Sequence, residues 1–332
     1  MSAPAGSIFS PAAREVASRL GLTMGRANLD EFADALLALA RADRDVLVVT
    51  SDSRGSGKLG PFGQALADQI VELGIAEQNL VGVAAGLASC GKRVFAVSPA
   101  CFLTARALEQ IKNDVAYSDH PVKVIGISAG VSYGALGSTH HSLHDLAALR
   151  AIHNIDLVVP ADNFETRKAI ETVAKTTKPV YLRFGKAPLY DLHATHARFQ
   201  IGKAITLRQG DDMAFIATGE TVIHALLAAE ALREQGLSSR VISMHTVKPL
   251  DADAVVSAGR ECRAVVTVEE HSIFGGLGEA CAAVLLQAGH RPGLKIVGIP
   301  DEYTVTGSQA DIFRHYGISM EGLAQAAMTL VK

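Results

Sequence analysis

Val46-Leu-Val-Val-Thr50, running into Asp52-Ser-Arg-Gly-Ser-Gly-Lys58, is the stretch on which the fold turns. A short run of apolar, β-branched residues without alternation suits a strand buried on both faces, as a parallel sheet requires. The glycine-rich run after it reads as a loop at the strand's end. Just upstream, Leu29, Phe32, Ala33, Leu36, Leu37 and Ala40 recur at helical spacing. Downstream, Val81-Gly-Val-Ala-Ala-Gly-Leu-Ala88 reads as a helix of small residues. Strand-like runs return at residues 94–97, 122–127, 157–159 and 180–182, with helix-like segments between them. This βαβα rhythm predicts a parallel α/β domain over residues 26–186.

A polar, aperiodic stretch follows, so residues 187–212 read as a linker. A second α/β series over 213–332 opens at Met213-Ala-Phe-Ile-Ala217, continues with strands near 240–243, 264–268 and 294–297, and ends in a helix near 320–330. Residues 1–25, rich in Ala, Ser, Gly and Pro, read as an N-terminal arm or linker. The expected fold class is therefore α/β, with two parallel-sheet domains, and 332 residues are enough for two cores. A net charge of -3 with 48% hydrophobic residues suits a soluble protein and gives no electrostatic basis for binding nucleic acid or an anionic membrane. No apolar run approaches the ~18 residues of a membrane span. The first ten residues lack a basic and then apolar leader, which leads us to expect a cytoplasmic chain. Cys90, Cys101, Cys262 and Cys281 are scattered, as expected of free thiols in a reducing compartment. Architecture alone says enzyme without saying which chemistry.

Four segments of the first domain narrow this. They are Leu73-Gly-Ile-Ala-Glu-Gln-Asn79; Ser98-Pro-Ala-Cys-Phe-Leu103 with Glu109-Gln-Ile-Lys-Asn113; Gly137-Ser-Thr-His140 with Asp145-Leu-Ala-Ala-Leu-Arg150; and Pro179-Val-Tyr-Leu-Arg-Phe-Gly-Lys186. In order and spacing they resemble the pyrimidine-binding domain of transketolases. Ile216-Ala-Thr-Gly219 and Thr267-Val-Glu-Glu-His-Ser-Ile-Phe-Gly-Gly-Leu-Gly278 resemble the C-terminal domain of that family. The family's Gly-Asp-Gly run, which holds diphosphate and its divalent metal, is missing; Gly210-Asp-Asp212 lacks the second glycine. The resemblance therefore implies a split enzyme of α2β2 form. In it an N-terminal-section subunit supplies the diphosphate domain and the Mg2+ ligands, and thiamine diphosphate lies at the interface.

The same resemblance assigns roles. Glu77 is expected to hydrogen-bond the aminopyrimidine ring and shift its tautomer, the step that activates the cofactor. Phe102 is the stacking candidate, since an aromatic face suits a flat heterocycle; Ala105 and Leu108 stand where larger transketolases carry further aromatics. His140 is the expected substrate contact and a second catalytic candidate. Arg26, Ser56, Arg183 and Lys186 are the expected substrate-binding set, with Lys186 where the family usually has arginine and hence a point charge in place of a fork. Arg54 and Lys58 flank the same loop. Zinc bound by His140, His141 and His144 is disfavoured, because no acidic or thiol ligand is placed beside them, and no metal site is expected in this chain. Leu136 stands where an acidic residue usually meets a substrate hydroxyl, which leads us to expect an unusual ketose. The implied reaction is transfer of a two-carbon ketol unit from a ketose phosphate to an aldose. Two alternatives stay open. One is chemistry like that of deoxyxylulose-phosphate synthase or a 2-oxoacid decarboxylase. The other is a non-catalytic partner subunit.

Overall fold

The computed structural model describes residues 7–193 and 197–331. Fourteen strands occur among them: β1 Met24–Ala27, β2 Val46–Thr50, β3 Ile70–Glu72, β4 Arg93–Pro99, β5 Lys123–Ile127, β6 Asp156–Val158, β7 Val180–Phe184, β8 Pro188–Tyr190, β9 Ile205–Arg208, β10 Met213–Ala217, β11 Ser239–Ser243, β12 Thr246–Lys248, β13 Ala264–Ser272 and β14 Gly293–Ile299. The first sheet has the order β12-β6-β7-β5-β4-β2-β3 and the second β14-β13-β10-β11-β9. All neighbours are parallel except the edge strands β12 and β9, which run antiparallel to β6 and β11. The two α/β domains are thus parallel-dominated with mixed edges. An antiparallel edge strand is too short to leave a periodic signal.

Alternation sets the layers of the first domain. Val48 packs with Leu29, Phe32 and Leu36 of the Asn28–Ala42 helix on one face. Its neighbour Val49 packs with Leu80, Val81 and Ala84 of the Glu77–Ser89 helix on the other. Both faces of the sheet are covered, as its unbroken apolar strands demand.

Two segments read as connectors are structured. Residues 11–19 form the Pro11–Arg19 helix, begun by the Ser10 side chain accepting from Ala13 N–H with proline in its first turn. Phe9, Ala13, Val16 and Ala17 enter the core of the second domain beside Leu227. The stretch 187–212 contains β8, which pairs with β1, and β9, which closes the second sheet. The domains also share structure, because β12 leaves the second domain to edge the first sheet.

Candidate functional site

β2, β3, β4, β5 and β7 run parallel, so their C-terminal ends lie together at one edge of the sheet. That edge is where open α/β sheets bind ligands. β2 ends at the Asp52–Lys58 loop and β3 at Gly74, whose positive φ of 69° turns the chain into Glu77. β4 runs straight into the Ala100–Arg106 helix with Phe102, β5 leads to the 131–141 loop with Tyr133 and His140, and β7 ends just before Lys186. Residues distant in sequence meet because each follows a neighbouring strand.

Glu77 is the first residue of its helix and is 4% exposed. No side chain caps that helix, so its positive end is left to the carboxylate. The sequence reading missed Arg106: its Nη1 donates to both Glu77 oxygens at 3.0 Å, and its guanidinium lies 4.6 Å from the Phe102 ring centroid. Arg106 and Glu77 line an open recess with Ile75, Gln78 and Asn79. Phe102 meets His140 edge-on at 5.3 Å, and His140 meets Tyr133 at the same distance. Lys186 Nζ lies 3.7 Å from the Tyr133 ring centroid. Glu77, Arg106, Phe102, His140, Tyr133 and Lys186 therefore form one continuous row. Burial, and then the charge of Lys58, hold the Lys186 ammonium below its ordinary pKa. The negative charge of a phosphate placed there would offset both and favour the charged ammonium. Ser56 is exposed on the glycine-rich loop that follows β2.

Two residues expected to bind substrate have other partners. Arg183 is 5% exposed; its Nη1 donates to Asp145 at 2.7 Å and its Nη2 to the Glu270 carbonyl at 2.8 Å. It is held between the domains, away from the row, because a buried guanidinium needs a buried partner. Arg26 donates to Glu31 at 2.8 Å and to Asp34 at 2.5 Å, and lines a separate cleft with Arg54 and Lys58. The three neighbouring histidines diverge. His140 Nδ1 lies 2.9 Å from the Thr139 hydroxyl, His141 Nε2 is 2.9 Å from the Gly134 carbonyl, and His144 Nε2 is 3.3 Å from Thr104. Leu136 is 55% exposed on the same loop. Asp212 accepts from Ser238 N–H and pairs with Arg263, a structural position. The four cysteines are free, and Cys90 alone of them is exposed. Among the described residues, no helix is long and apolar enough to cross a membrane.

The structure is thus one of two parallel-dominated α/β domains, with this row of charged and aromatic residues at the carboxyl edge of the first sheet. Comparison with known proteins gives the family. Residues 26–190 match the transketolase pyrimidine-binding domain and residues 202–323 the transketolase C-terminal domain. The chain is 48% identical to an apulose-4-phosphate transketolase subunit of Phocaeicola vulgatus, over 91% of this chain and 96% of that one. It is 34% identical to the 6-deoxy-6-sulfo-D-fructose transketolase subunit of a Clostridium species, over 90% and 92%. A solved split-gene transketolase, an inactive β4 tetramer, superposes with a TM-score of 0.83 at 33% identity, covering 92% of this chain and 98% of that one. The 1-deoxy-D-xylulose-5-phosphate synthase of Heliobacterium modesticaldum is 34% identical over 90% of this chain, but only 46% of that protein is matched. The chain belongs to the transketolase family of thiamine-diphosphate enzymes, as the pyrimidine-binding plus C-terminal section of a split transketolase.

Proposed function

We propose that this chain supplies the cofactor-activating and substrate-contacting half of a cytoplasmic α2β2 transketolase, which moves a two-carbon ketol unit from a ketose phosphate to an aldose. The partner subunit would hold the diphosphate and Mg2+. The carrying observation is the row from Glu77 to Lys186, with a buried carboxylate at one end and a half-buried ammonium at the other.

The donor set fits thiamine diphosphate: a carboxylate to meet a ring nitrogen, with an aromatic ring one guanidinium away. When bound, the cofactor supplies the carbanion-stabilising chemistry. The rest falls to this chain. Glu77 holds or releases a proton at a carboxyl oxygen, in competition with the Arg106 guanidinium. Phe102 orients the ring. His140 offers a ring nitrogen to substrate hydroxyls, and Tyr133 shields that side from water. Lys186 and Ser56 hold the phosphate. With Leu136 apolar and exposed, one hydroxyl contact is lacking. This favours a donor of the kind named for the 48% identical relative, apulose 4-phosphate, over ordinary pentose phosphates.

The test is ketol transfer from a panel of ketose phosphates by the chain alone and with the diphosphate-domain subunit, supplied with thiamine diphosphate and Mg2+. We expect activity only in the mixture, lost in Glu77→Ala. Activity of the chain alone would overturn the split reading. A mixture that binds the cofactor yet transfers no ketol would favour a 2-oxoacid donor instead.

A further inference from the structure

We infer that Glu220 and Glu270, two buried carboxyl groups of the C-terminal domain, are positioning residues that grip the two substrate-side loops of the first domain by their backbones. Glu220 accepts the N–H of Gly185 at 3.0 Å, next to Lys186. Glu270 accepts the N–H of Val131 at 2.8 Å, two residues before Tyr133. Gln309 donates to Glu270 at 2.9 Å. It lies at the edge of the recess that contains Tyr133 and Lys186.

The loops are shaped for this grip. A Cβ on Gly185 would lie 2.1 Å from Glu220 Oε2, and one on Gly130 would lie 2.2 Å from the Glu270 carboxyl carbon. No other residue lets the carboxyls come so close, and Gly130 also has a φ of +61°. Both acids line one small cavity with Arg183 and Gly185.

The charges around the pair are Arg183 from β7 and Asp145, which pairs with it. His271 lies 3.7 Å beyond, against Asp145, while Glu269 turns away to the amides of Leu277 and Gly278. One guanidinium shared with Asp145 does not neutralise two further acids. Burial and the charge of Glu270 hold Glu220 above the ordinary carboxylate range, and burial holds Glu270 there too. Glu220 Oε2 has no hydrogen-bond partner, which leaves a place for the proton. Near neutral pH the pair keeps a proton; in alkali both ionise, repel, and loosen the loops.

The first arm uses the full chain alone and needs no activity. Hydrogen exchange by mass spectrometry should show amides around Val131 and Gly185 exchanging about tenfold faster in Glu270→Ala and Glu220→Ala, the cost of one lost bond. The isosteric Glu220→Gln and Glu270→Gln keep an acceptor oxygen and should exchange as the parent does. Alanine variants with unchanged melting and unchanged exchange would overturn the inference.

The second arm rests on the transketolase reading and uses the reconstituted pair. The parent KM for the phosphorylated donor should rise above about pH 8, with kcat little changed. Glu220→Gln should keep the low KM and shrink that rise, leaving only the part due to Lys186 losing its own proton, whose pKa burial and Lys58 lower. If the alanine variants fail to fold, the glutamine pH profile still decides, because an unaltered rise in Glu220→Gln overturns the inference. A parent pair without transferase activity would sink the functional reading, and the exchange arm would still judge the grip.

Discussion

Arg106 sits between the two residues assigned to the cofactor, bonding Glu77 and covering Phe102. A carboxylate that takes up a proton from a ring nitrogen loses most of its attraction for a guanidinium, so the ion pair competes with the cofactor. Glu77 is buried but the Arg106 side chain is 49% exposed, so the pair contributes only about 1 kcal/mol. Arg106→Ala is therefore expected to tighten thiamine diphosphate binding by the reconstituted pair a few-fold, measured by titration calorimetry. Weakening of tenfold or more would mean that Arg106 stays with the bound cofactor. At the other end of the row, Lys186→Ala should raise KM for a phosphorylated donor at least tenfold while leaving kcat near the parent value. Lys186→Arg should restore it, since a guanidinium also holds phosphate. Equal kinetics in Lys186→Ala would move the phosphate elsewhere, to the separate cleft of Arg26, Arg54 and Lys58.

At the scale of elements, β7 and the Asp145–Arg150 helix are joined by a buried polar set. Asp145 accepts from the Tyr181 hydroxyl at 2.6 Å and from Arg183 at 2.7 Å. Asp145→Asn would leave the Arg183 charge buried without its partner, at a cost of about 3–5 kcal/mol of unfolding free energy by denaturant titration. Asp145→Asn with Arg183→Met should recover most of it; a single variant as stable as the parent would refute the assignment. Burial alone would raise the Asp145 pKa, but Arg183, His271 and Tyr181 together bring it below the usual value. Its stabilisation is thus present above about pH 4 and lost in stronger acid, as pH falls through the lowered folded value. This set also shows what the sequence withheld. The apolar runs announced every central strand, and strand order then carried Glu77, Phe102, His140 and Lys186 to one edge. Arg183 sits on a strand buried throughout, and no pattern in Val180–Phe184 says whether its charge meets a phosphate or an aspartate. The Pro11–Arg19 helix had a legible signal in Ser10-Pro11, masked by the small residues around it. Glu220 and Glu270 gave none, because their partners are backbone amides of the other domain.

Across the whole molecule the N-terminal segment, the second domain and β8 share one apolar core. His224 stands in its middle. Its ring lies 5.2 Å from Phe9 and 5.4 Å from Phe313, and neither ring nitrogen has a hydrogen-bond partner. Burial pushes its pKa down to about 4, with only Glu321 opposing. In the unfolded chain a histidine titrates near 6.5, so between about pH 6.5 and 4 the unfolded state binds the extra proton. His224 is neutral and harmless above that window. Within it stability falls as pH falls, by up to about 3 kcal/mol at the acid end. His224→Phe removes the proton site while keeping a ring of similar size. The variant should match the parent's melting temperature near pH 7.5 within the small cost of repacking, and exceed it increasingly from about pH 6 to 4. Other buried histidines titrate in both proteins, His271 low and His193 high, so the difference between parent and variant isolates His224. A difference that stays constant from neutral to acid pH would mean that the ring is reached by water, and that the N-terminal segment is not sealed onto the C-terminal domain.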